Sequence, residues 1–228
     1  MAPVGIVIPT LNEADRLPGL LDDLRHLSVA AHVVVADGGS TDGTPAVARA
    51  AGARVVRAAA GRARQMNAGA AALTTPWLCF LHADVRVPPE ARLDLARAVA
   101  DPAAVAAVWR LALDARGWWF RALEWGARLR DRAGGLPYGD QGLLVRRELF
   151  AALGGFADMP LMEDVDLVRR LRRRAPLIRL RSSVVASARR YRRDGPVRGW
   201  LRNASLIALY LAGVAPARLA RWYRPEPS

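Results

Sequence analysis

The strongest constraint on the fold is the alternation of short apolar runs with helical patterns in the first half of the chain. Four apolar runs, each followed by turn or polar residues, predict buried strands over residues 4–9, 32–36, 54–58 and 77–81. Between the first two runs, leucines recur at helical spacing from Leu17 to Leu27. Strands that alternate with helices are typical of βαβ units, so we expect one α/β domain built on parallel strands.

The remaining elements follow from the same patterns. Thr44-Pro45 predicts the start of a helix that runs to about residue 51. Further helices are predicted over residues 64–73, from Pro88-Pro89 onward, over 118–129 and over 160–174, and further strands over 105–113 and within 138–146. Because no repeat or low-complexity linker interrupts these patterns, the sequence predicts a single α/β unit.

Composition excludes several classes of protein. The chain has 228 residues of which 52% are apolar, enough for a substantial core, so intrinsic disorder is excluded. A single cysteine, Cys79, excludes a disulfide framework and a cysteine-based zinc site. The N-terminus has no basic region before an apolar stretch, and the apolar run over 204–217 is shorter than the roughly 20 residues of a transmembrane helix. We therefore expect a cytoplasmic protein.

The net charge of +13 lies entirely in the second half of the chain. All 34 basic residues are arginines; residues 1–115 hold 11 arginines and 11 acids, while residues 116–228 hold 23 arginines and 10 acids. Three interpretations of these arginines are open. They form exposed surface, they form a diphosphate site with Arg189 and Arg190, or they attach the protein to the inner face of an anionic membrane. For the apolar segment Leu206–Val214, membrane attachment competes with packing in the core or in a dimer.

Polar side chains follow three of the predicted strands, at the edge where a parallel sheet binds ligands. They comprise Pro9-Thr10-Leu11-Asn12-Glu13, Asp37 and Asp84. The three-glycine dinucleotide fingerprint and the lysine-containing phosphate loop are both missing, and the chain has no lysine. A bound nucleotide would therefore need another phosphate anchor, and a divalent metal on carboxylates is the expected one.

Six segments in this order resemble the family 2 glycosyltransferases. They are Ile8-Pro9-Thr10-Leu11-Asn12-Glu13, Asp37-Gly38-Gly39-Ser40-Thr41-Asp42-Gly43-Thr44, Arg64-Gln65-Met66-Asn67-Ala68-Gly69, Phe80-Leu81-His82-Ala83-Asp84, Gly139-Asp140-Gln141-Gly142 and Glu163-Asp164-Val165-Asp166. The resemblance covers about residues 3–190 and is greatest to a small bacterial subgroup with His-Ala-Asp and Gly-Asp-Gln-Gly signatures.

The resemblance implies a GT-A-like fold, a Rossmann-like mixed sheet flanked by helices. We expect this α/β domain over residues 1–190 and a basic, amphipathic helical C-terminal appendage over 191–228. The implied reaction moves a sugar from a nucleotide-diphosphate sugar to an acceptor hydroxyl with inversion, assisted by Mn²⁺ or Mg²⁺. The acceptor class stays open between lipid-linked, small-molecule and glycan acceptors.

The resemblance also assigns residues. The nucleotide-binding set is Pro9, Thr10, Glu13, Asp37, Arg64, Asn67, His82, Arg189 and Arg190, and the metal ligand is Asp84. The catalytic pair is Asp164, the general base, with Glu163, and the acceptor side is Asp140 and Gln141. The family's Asp-x-Asp motif here reads His82-Ala83-Asp84, so imidazole replaces one carboxylate.

Structural alternatives exist for several of these residues. Asp37 and Asp42 are also typical of tight turns, Glu13 of the first turn of a helix, and Arg64 of an exposed helix surface. Asp166 lies four residues before Arg170, which is typical of a helix-surface ion pair. His82 is either a neighbour of the metal site that acts through water or contacts the nucleotide base, or a packed residue at a strand end.

Two other functions compete with glycosyl transfer. A sugar-1-phosphate nucleotidyltransferase would share the α/β layout, but its glycine-rich first loop with Arg or Lys does not match residues 9–13. A basic nucleic-acid-binding or membrane-binding protein without catalysis would explain the charge. Nucleic-acid binding is disfavoured because the sequence has no helix-turn-helix, zinc-finger or aromatic RNA-binding signature, and because the predicted crevice is acidic.

Overall fold

A computed structural model describes residues 2–132 and 141–223. Within those residues the chain forms eight strands, most of which lie close to an apolar run of the sequence. They are β1 (Val4–Thr10), β2 (Ala31–Asp37), β3 (Arg54–Arg57), β4 (Trp77–Phe80), β5 (Val85–Arg86), β6 (Ala106–Leu113), β7 (Leu143–Arg146) and β8 (Ile178–Ala186).

The same residues form ten helices, several of which begin at a proline, whose fixed φ suits the first turn. They are α1 (Leu17–Arg25), α2 (Thr44–Ala50), α3 (Arg62–Ala71), α4 (Pro89–Ala100), α5 (Trp118–Arg132), α6 (Arg147–Ala152), α7 (Glu163–Arg172), α8 (Arg189–Asp194), α9 (Pro196–Leu211) and α10 (Pro216–Trp222).

The strands form one mixed sheet in the order β3-β2-β1-β4-β7-β6-β8-β5. The first four neighbours, β3 to β4, are parallel, as the alternating pattern predicts. β7 then runs antiparallel between β4 and β6, and β5 runs antiparallel to β8 at the edge. The predicted mixed α/β sheet flanked by helices is confirmed.

Helices cover both faces of the sheet. In β1, Val4, Ile6 and Ile8 pack with α1 and α4 in one hydrophobic cluster, while Val7 packs with α3, α6 and α7 in a second cluster. Successive side chains of a strand point to opposite faces, so the apolar run of β1 supplies both cores. The carboxyl ends of β1, β2 and β4 are thereby fixed side by side.

The C-terminal helices make a third, smaller cluster against the start of α7. Leu206 of α9 and Leu219 of α10 are buried beside Leu161, Met162 and Val165. The chain around Leu206 therefore packs against the protein on one side, which is one of the alternatives that the sequence leaves open. Among the described residues, no helix combines the length and the apolarity needed to cross a bilayer.

Some predicted boundaries are wrong for local reasons. The helix predicted from residue 64 begins at Arg62, and the helix predicted from residue 160 begins at Glu163. Thr44 is the first residue of α2 and Gly43 precedes it as the N-cap residue. The short elements β5 and α6 are absent from the sequence prediction, because two to six residues give too little periodicity to read.

Candidate functional site

The turn after β2 occupies both carboxylate oxygens of Asp37. One oxygen accepts the N–H groups of Gly39 and Ser40 at 3.0 and 3.1 Å. The other accepts the Ser40 hydroxyl and lies 3.5 Å from the Thr10 hydroxyl at the end of β1. Gly39 has a φ of +98°, in the left-handed region that favours glycine. Asp37 is buried and holds the backbone of this turn.

Asp42 joins the same turn to the loop that follows β1. Its two oxygens accept the Thr44 N–H at 2.9 Å and the Ala14 N–H at 3.1 Å, and the Thr44 hydroxyl accepts the Glu13 N–H at 2.8 Å. Burial raises the pKa of Asp42, but the hydrogen bonds from Thr44 and Ala14 outweigh it and hold the pKa below its usual range. The geometry of Asp37 and Asp42 thus has the features of turn-forming aspartates.

Gln65 ties the ends of β1 and β2 from the adjacent helix α3. Its buried side-chain amide donates to the carbonyl oxygens of Thr10 at 2.6 Å and Ala36 at 2.9 Å. A Cβ on Gly38 would lie 2.9 Å from this amide nitrogen, so a glycine is required there. Sequence reasoning missed this role, although a lone glutamine in a helix of small residues is a usable signal.

A cleft opens between the end of β4 and the start of α7, and we call it the central cleft. Asp84 and His82 line it from the loop after β4, and Asp164 lines it from the first turn of α7. It is also lined by Arg62, Arg189, Tyr191, Asn203, Leu206 and Tyr223. Two carboxylates, one imidazole and two guanidinium groups thus line one cavity.

The first two acids of α7, Glu163 and Asp164, lie in different environments. Met162, the N-cap residue, has a φ of +71°, which costs a non-glycine residue on the order of 1–3 kcal/mol. Glu163 is 1% exposed and its Oε1 lies 2.7 Å from the Nε of Arg62. Asp164, partly exposed, lines the cleft, and its Oδ1 accepts the N–H of Val165 at 2.7 Å. The strained turn therefore separates a buried carboxylate from an accessible one.

The acids around the cleft are electrostatically coupled. Burial raises the pKa of Glu163, the Arg62 guanidinium opposes that shift, and the Asp164 carboxylate adds to it; the net pKa lies above the ordinary glutamate value. Burial also raises the pKa of Glu13, whose ion pair with Arg16 at 2.7 Å opposes it, while Asp84 and Asp42 add to it. Glu13 is therefore close enough to Asp84 to sense its charge.

Other predicted residues make contacts away from this cleft. Arg64 pairs with Asp158 on the exposed surface at 2.8 Å. The Asn67 amide donates to the Phe156 carbonyl at 2.8 Å and accepts the Phe156 N–H at 2.9 Å. These two contacts fix the segment that leads towards α7, and nucleotide binding by either residue stays a prediction.

The buried Gln141, one of the two residues predicted for the acceptor side, donates its amide to the Trp109 carbonyl at 3.3 Å. Asp140 and the side chain of Arg190 lie outside the described residues. Asp166 pairs with Arg170 at 2.7 Å, the interaction expected of acids and arginines four residues apart on a helix.

The side chains that line the cleft fit a divalent metal only if a bound phosphate ligand supplies some of the coordinating atoms. Within residues 2–132 and 141–223, no group of three or more His, Cys, Asp and Glu side chains is placed to hold an ion by itself. Magnesium-type sites commonly use one or two carboxylates and complete the shell with phosphate oxygens and water. Asp84 in a cleft with two arginines fits that arrangement.

Sequence reasoning missed Arg62, Tyr191 and Asn203 as cleft residues. Arg62 precedes the quoted segment 64–69 by two positions, and the helix boundary predicted at residue 64 excluded it from α3. Tyr191 and Asn203 come from α8 and α9. Only the docking of these helices over the cleft brings the two residues to the site.

Comparison with known proteins identifies the family of the chain. Residues 5–158 match the family described as Glycosyl transferase family 2. A curated relative, the succinoglycan biosynthesis protein ExoA of Rhizobium meliloti (strain 1021), is 54% identical over 46 residues, which are 19% of this chain and 14% of ExoA.

Solved structures share the fold. The mannosyltransferase PcManGT from Pyrobaculum calidifontis, solved with GDP-Man and Mn²⁺, is 25% identical with a TM-score of 0.61, over 81% of this chain and 56% of that one. Glucosyl-3-phosphoglycerate synthase from Mycobacterium tuberculosis, solved with Mn²⁺ and UDP, is 21% identical with a TM-score of 0.56, over 82% and 70% of the two chains. TarS from S. aureus is 15% identical with a TM-score of 0.65, over 81% and 60%.

The family match covers well over half of the chain, whereas the chain spans about half the length of the mannosyltransferase and a small part of ExoA. The family match ends at residue 158, so Asp164, Arg189 and the residues that α9 contributes to the central cleft lie beyond it. On the extent of that match, the chain belongs to glycosyl transferase family 2.

Proposed function

We propose that the chain transfers a sugar from a nucleotide-diphosphate sugar to an acceptor hydroxyl, with inversion at the anomeric carbon. The observation that carries the proposal is the meeting of Asp84 and Asp164 in one cleft. The two residues are 80 positions apart in the sequence, and they come from a strand end and from a helix start. This reaction needs one carboxylate that would hold a divalent metal on the leaving diphosphate. It needs a second carboxylate that takes the proton of the acceptor hydroxyl.

The nucleoside is assigned to the ends of β1 and β2. Pro9, Thr10 and Glu13 lie on the loop after β1, and hydrogen bonds from this loop to Ser40, Asp42 and Thr44 give it a fixed shape. Asp37 contributes by holding the neighbouring turn. A preformed loop loses little entropy when it receives a ligand, which supports this assignment.

The diphosphate is assigned to the central cleft beside Arg189 and Arg62. A guanidinium group presents a planar set of donors that suits phosphate oxygens. Asp84 would hold Mn²⁺ or Mg²⁺ together with the diphosphate, with His82 beside it, and the bound ion would offset the charge of the leaving group.

Asp164 is the proposed general base. Its carboxylate takes the proton of the acceptor hydroxyl as that oxygen forms a bond to the anomeric carbon. The bond from this carbon to the diphosphate oxygen breaks at the same time, and the diphosphate leaves with the electron pair. Glu163, buried against Arg62, positions the turn that aims Asp164 at the cleft. Gln141, with Asp140, is assigned to the acceptor side.

A thermal-shift screen tests the donor assignment. Nucleoside diphosphates and their sugars are added to the full chain with and without Mn²⁺, and one base should stabilise the protein selectively. The stabilisation should depend on Mn²⁺ in the wild type and lose that dependence in Asp84→Asn.

Equal shifts by all nucleotides, or shifts independent of Mn²⁺, would contradict the proposal. Release of pyrophosphate from a nucleoside triphosphate and a sugar phosphate would instead identify a nucleotidyltransferase.

A further inference from the structure

The outward side of α9 carries an apolar stripe that the fold leaves uncovered. Val197, Trp200, Leu201 and Leu211 are exposed large apolar residues on this helix. Their spacing of three, four and more residues places them on one side of an α-helix, with Ala204 and Ala208 between them. The helix has 16 residues, so the stripe extends along roughly 20 Å.

The stripe is distinct from the face that packs in the protein. Leu206 is buried against Leu161 and Val165, with Ile207 and Tyr210 packed around them. Tyr210 also contacts α7, where its hydroxyl lies 3.5 Å from Asp166. Because the inner face already holds α9 in place, the outer stripe is not needed for its folding.

Exposed tryptophans also lie on α5 and α10, two helices that contact α9. In α5, which contacts α9, Trp118, Trp119 and Trp125 are 69%, 43% and 64% exposed. Trp118 and Trp119 stack with ring centroids 4.1 Å apart, and Trp222 of α10 is also exposed. We call the stripe of α9 together with these tryptophans the tryptophan face. Tryptophan is the side chain most typical of the boundary between water and lipid.

The C-terminal segment that carries α9 and α10 is strongly basic. Residues 187–223 hold eight arginines and one acid, Asp194. Asp194 is engaged by Arg193 at 2.8 Å and by Arg202, so it offers little negative charge to a partner. A second copy of the chain would bring the same positive charge to the contact, whereas an anionic surface would be attracted.

We propose that the tryptophan face seats on the surface of an anionic phospholipid bilayer. Apolar burial of the tryptophans and leucines, combined with attraction of the surrounding arginines to lipid phosphates, is the combination that holds interfacial helices. The cleft side of α9, with Asn203 and Ile207, then lies about one helix diameter, roughly 10 Å, from the lipid. If the proposed function holds, this seating favours an acceptor hydroxyl carried by a lipid.

Vesicle co-sedimentation tests the seating. The full chain is mixed with vesicles of phosphatidylcholine containing phosphatidylglycerol, or of phosphatidylcholine alone, without nucleotide. The wild type should bind the anionic vesicles, and high salt should weaken the binding. The double variant Trp200→Gln/Leu201→Gln should bind about tenfold more weakly, because two large apolar side chains no longer enter the lipid.

Leu93→Gln is the matched control, since Leu93 on α4 and Leu201 are both 51% exposed. This variant should bind vesicles like the wild type. Equal binding by the double variant and the wild type, or no binding to anionic vesicles, would overturn the proposal. A wild-type dimer that the double variant dissociates, without vesicle binding, would assign the face to a second copy instead.

The outcome is separable from the proposed function. Vesicle binding is measured without donor, and nucleotide-induced stabilisation is measured without vesicles on the same samples. Loss of vesicle binding with normal nucleotide stabilisation in the double variant supports the seating. Vesicle binding by a protein that no nucleotide stabilises would contradict only the glycosyl-transfer proposal.

Discussion

Two groups of aspartates lie at strand ends and helix starts, and they differ in what their carboxylates contact. Asp37 and Asp42, which we call the turn aspartates, accept backbone N–H groups of the turn after β2 and, for Asp42, of the loop after β1. Asp84 and Asp164, the cleft aspartates, line a shared cavity with Arg62 and Arg189. A carboxylate whose oxygens are occupied by the backbone stabilises a loop, whereas one that faces a cavity is available to a ligand.

The difference has a local cause. The turn aspartates precede glycines or a Thr-Pro helix start, where several backbone N–H groups point at one place. Asp84 follows a strand that ends beside the antiparallel β7, and Asp164 lies two positions after Met162, which has a positive φ. The number of backbone N–H groups close to an aspartate therefore predicts better than its position after a strand whether its carboxylate is available to a ligand.

The largest expected effect separates Asp164 from its neighbour Asp166. Asp164→Asn should lower the rate of sugar transfer by about 10²–10⁴-fold, because an amide cannot take the acceptor proton. Nucleotide-induced thermal stabilisation should persist. Transfer is measured as nucleoside diphosphate released from the donor that the screen identifies.

Asp166→Asn is the control on the same helix, because Asp166 is paired with Arg170. It should lower stability slightly and keep most of the transfer rate. A rate loss in Asp166→Asn that equals the loss in Asp164→Asn would remove the assignment of the base.

The next largest effect distinguishes Asp84, a cleft aspartate, from Asp42, a turn aspartate, by how Mn²⁺ changes the nucleotide affinity of each variant. Asp84→Asn should reduce by roughly tenfold or more the gain in nucleotide affinity that Mn²⁺ provides, since a metal on phosphate is worth several kcal/mol. Asp42→Asn should keep that gain and instead lower the free energy of unfolding. Calorimetric titrations with and without Mn²⁺ measure the gain, and an unchanged gain in Asp84→Asn would refute the metal assignment.

The smallest effect concerns Asp94, an acid with a structural role on α4. It accepts the N–H groups of Arg181 and Ser182 at 3.1 and 2.9 Å, which holds β8 where its register shifts. Burial raises the pKa of Asp94, but these hydrogen bonds outweigh it and the pKa lies below its usual range. Asp94→Asn should cost about 1–3 kcal/mol at neutral pH.

The sign of the pH dependence follows from that lowered pKa. The ionised carboxylate stabilises the fold above the unfolded pKa, and this contribution is lost as the pH falls through the lower folded pKa. The difference between the wild type and Asp94→Asn should therefore shrink below about pH 4. Urea unfolding at neutral and acidic pH measures it, and a difference that grows with acid would show that Asp94 is not stabilised as an anion.

Much of the fold could be predicted from the sequence because its central strands are apolar, and β1 and β4 are buried along their whole length. The apolar runs that become β1, β2, β3 and β4 are readable without tertiary information, and so is the leucine spacing of α1. The placement of β7 between β4 and β6 was not readable, since antiparallel insertion depends on contacts between distant segments. The candidate site shows the same division between residues that the sequence identifies and contacts that depend on distant segments packing together.

The acids of the site were found at strand ends and in a recognisable order, but their contacts were not. The sequence marks Asp37 both as a typical turn residue and as a candidate ligand contact, and only the folded turn shows which N–H groups donate to it. Arg62 was missed because its partner Glu163 lies 101 positions away. Long-range pairs of this kind appear only when α3 and α7 pack together.

The location of a bound metal tests the distinction between the two groups of aspartates most directly. Crystals grown with Mn²⁺ and the nucleoside diphosphate selected by the thermal-shift screen would give an anomalous peak at the manganese. We expect the peak in the central cleft, bonded to the Asp84 carboxylate and to diphosphate oxygens. A peak at the turn formed by Asp37 and Asp42, with none beside Asp84, would contradict the account.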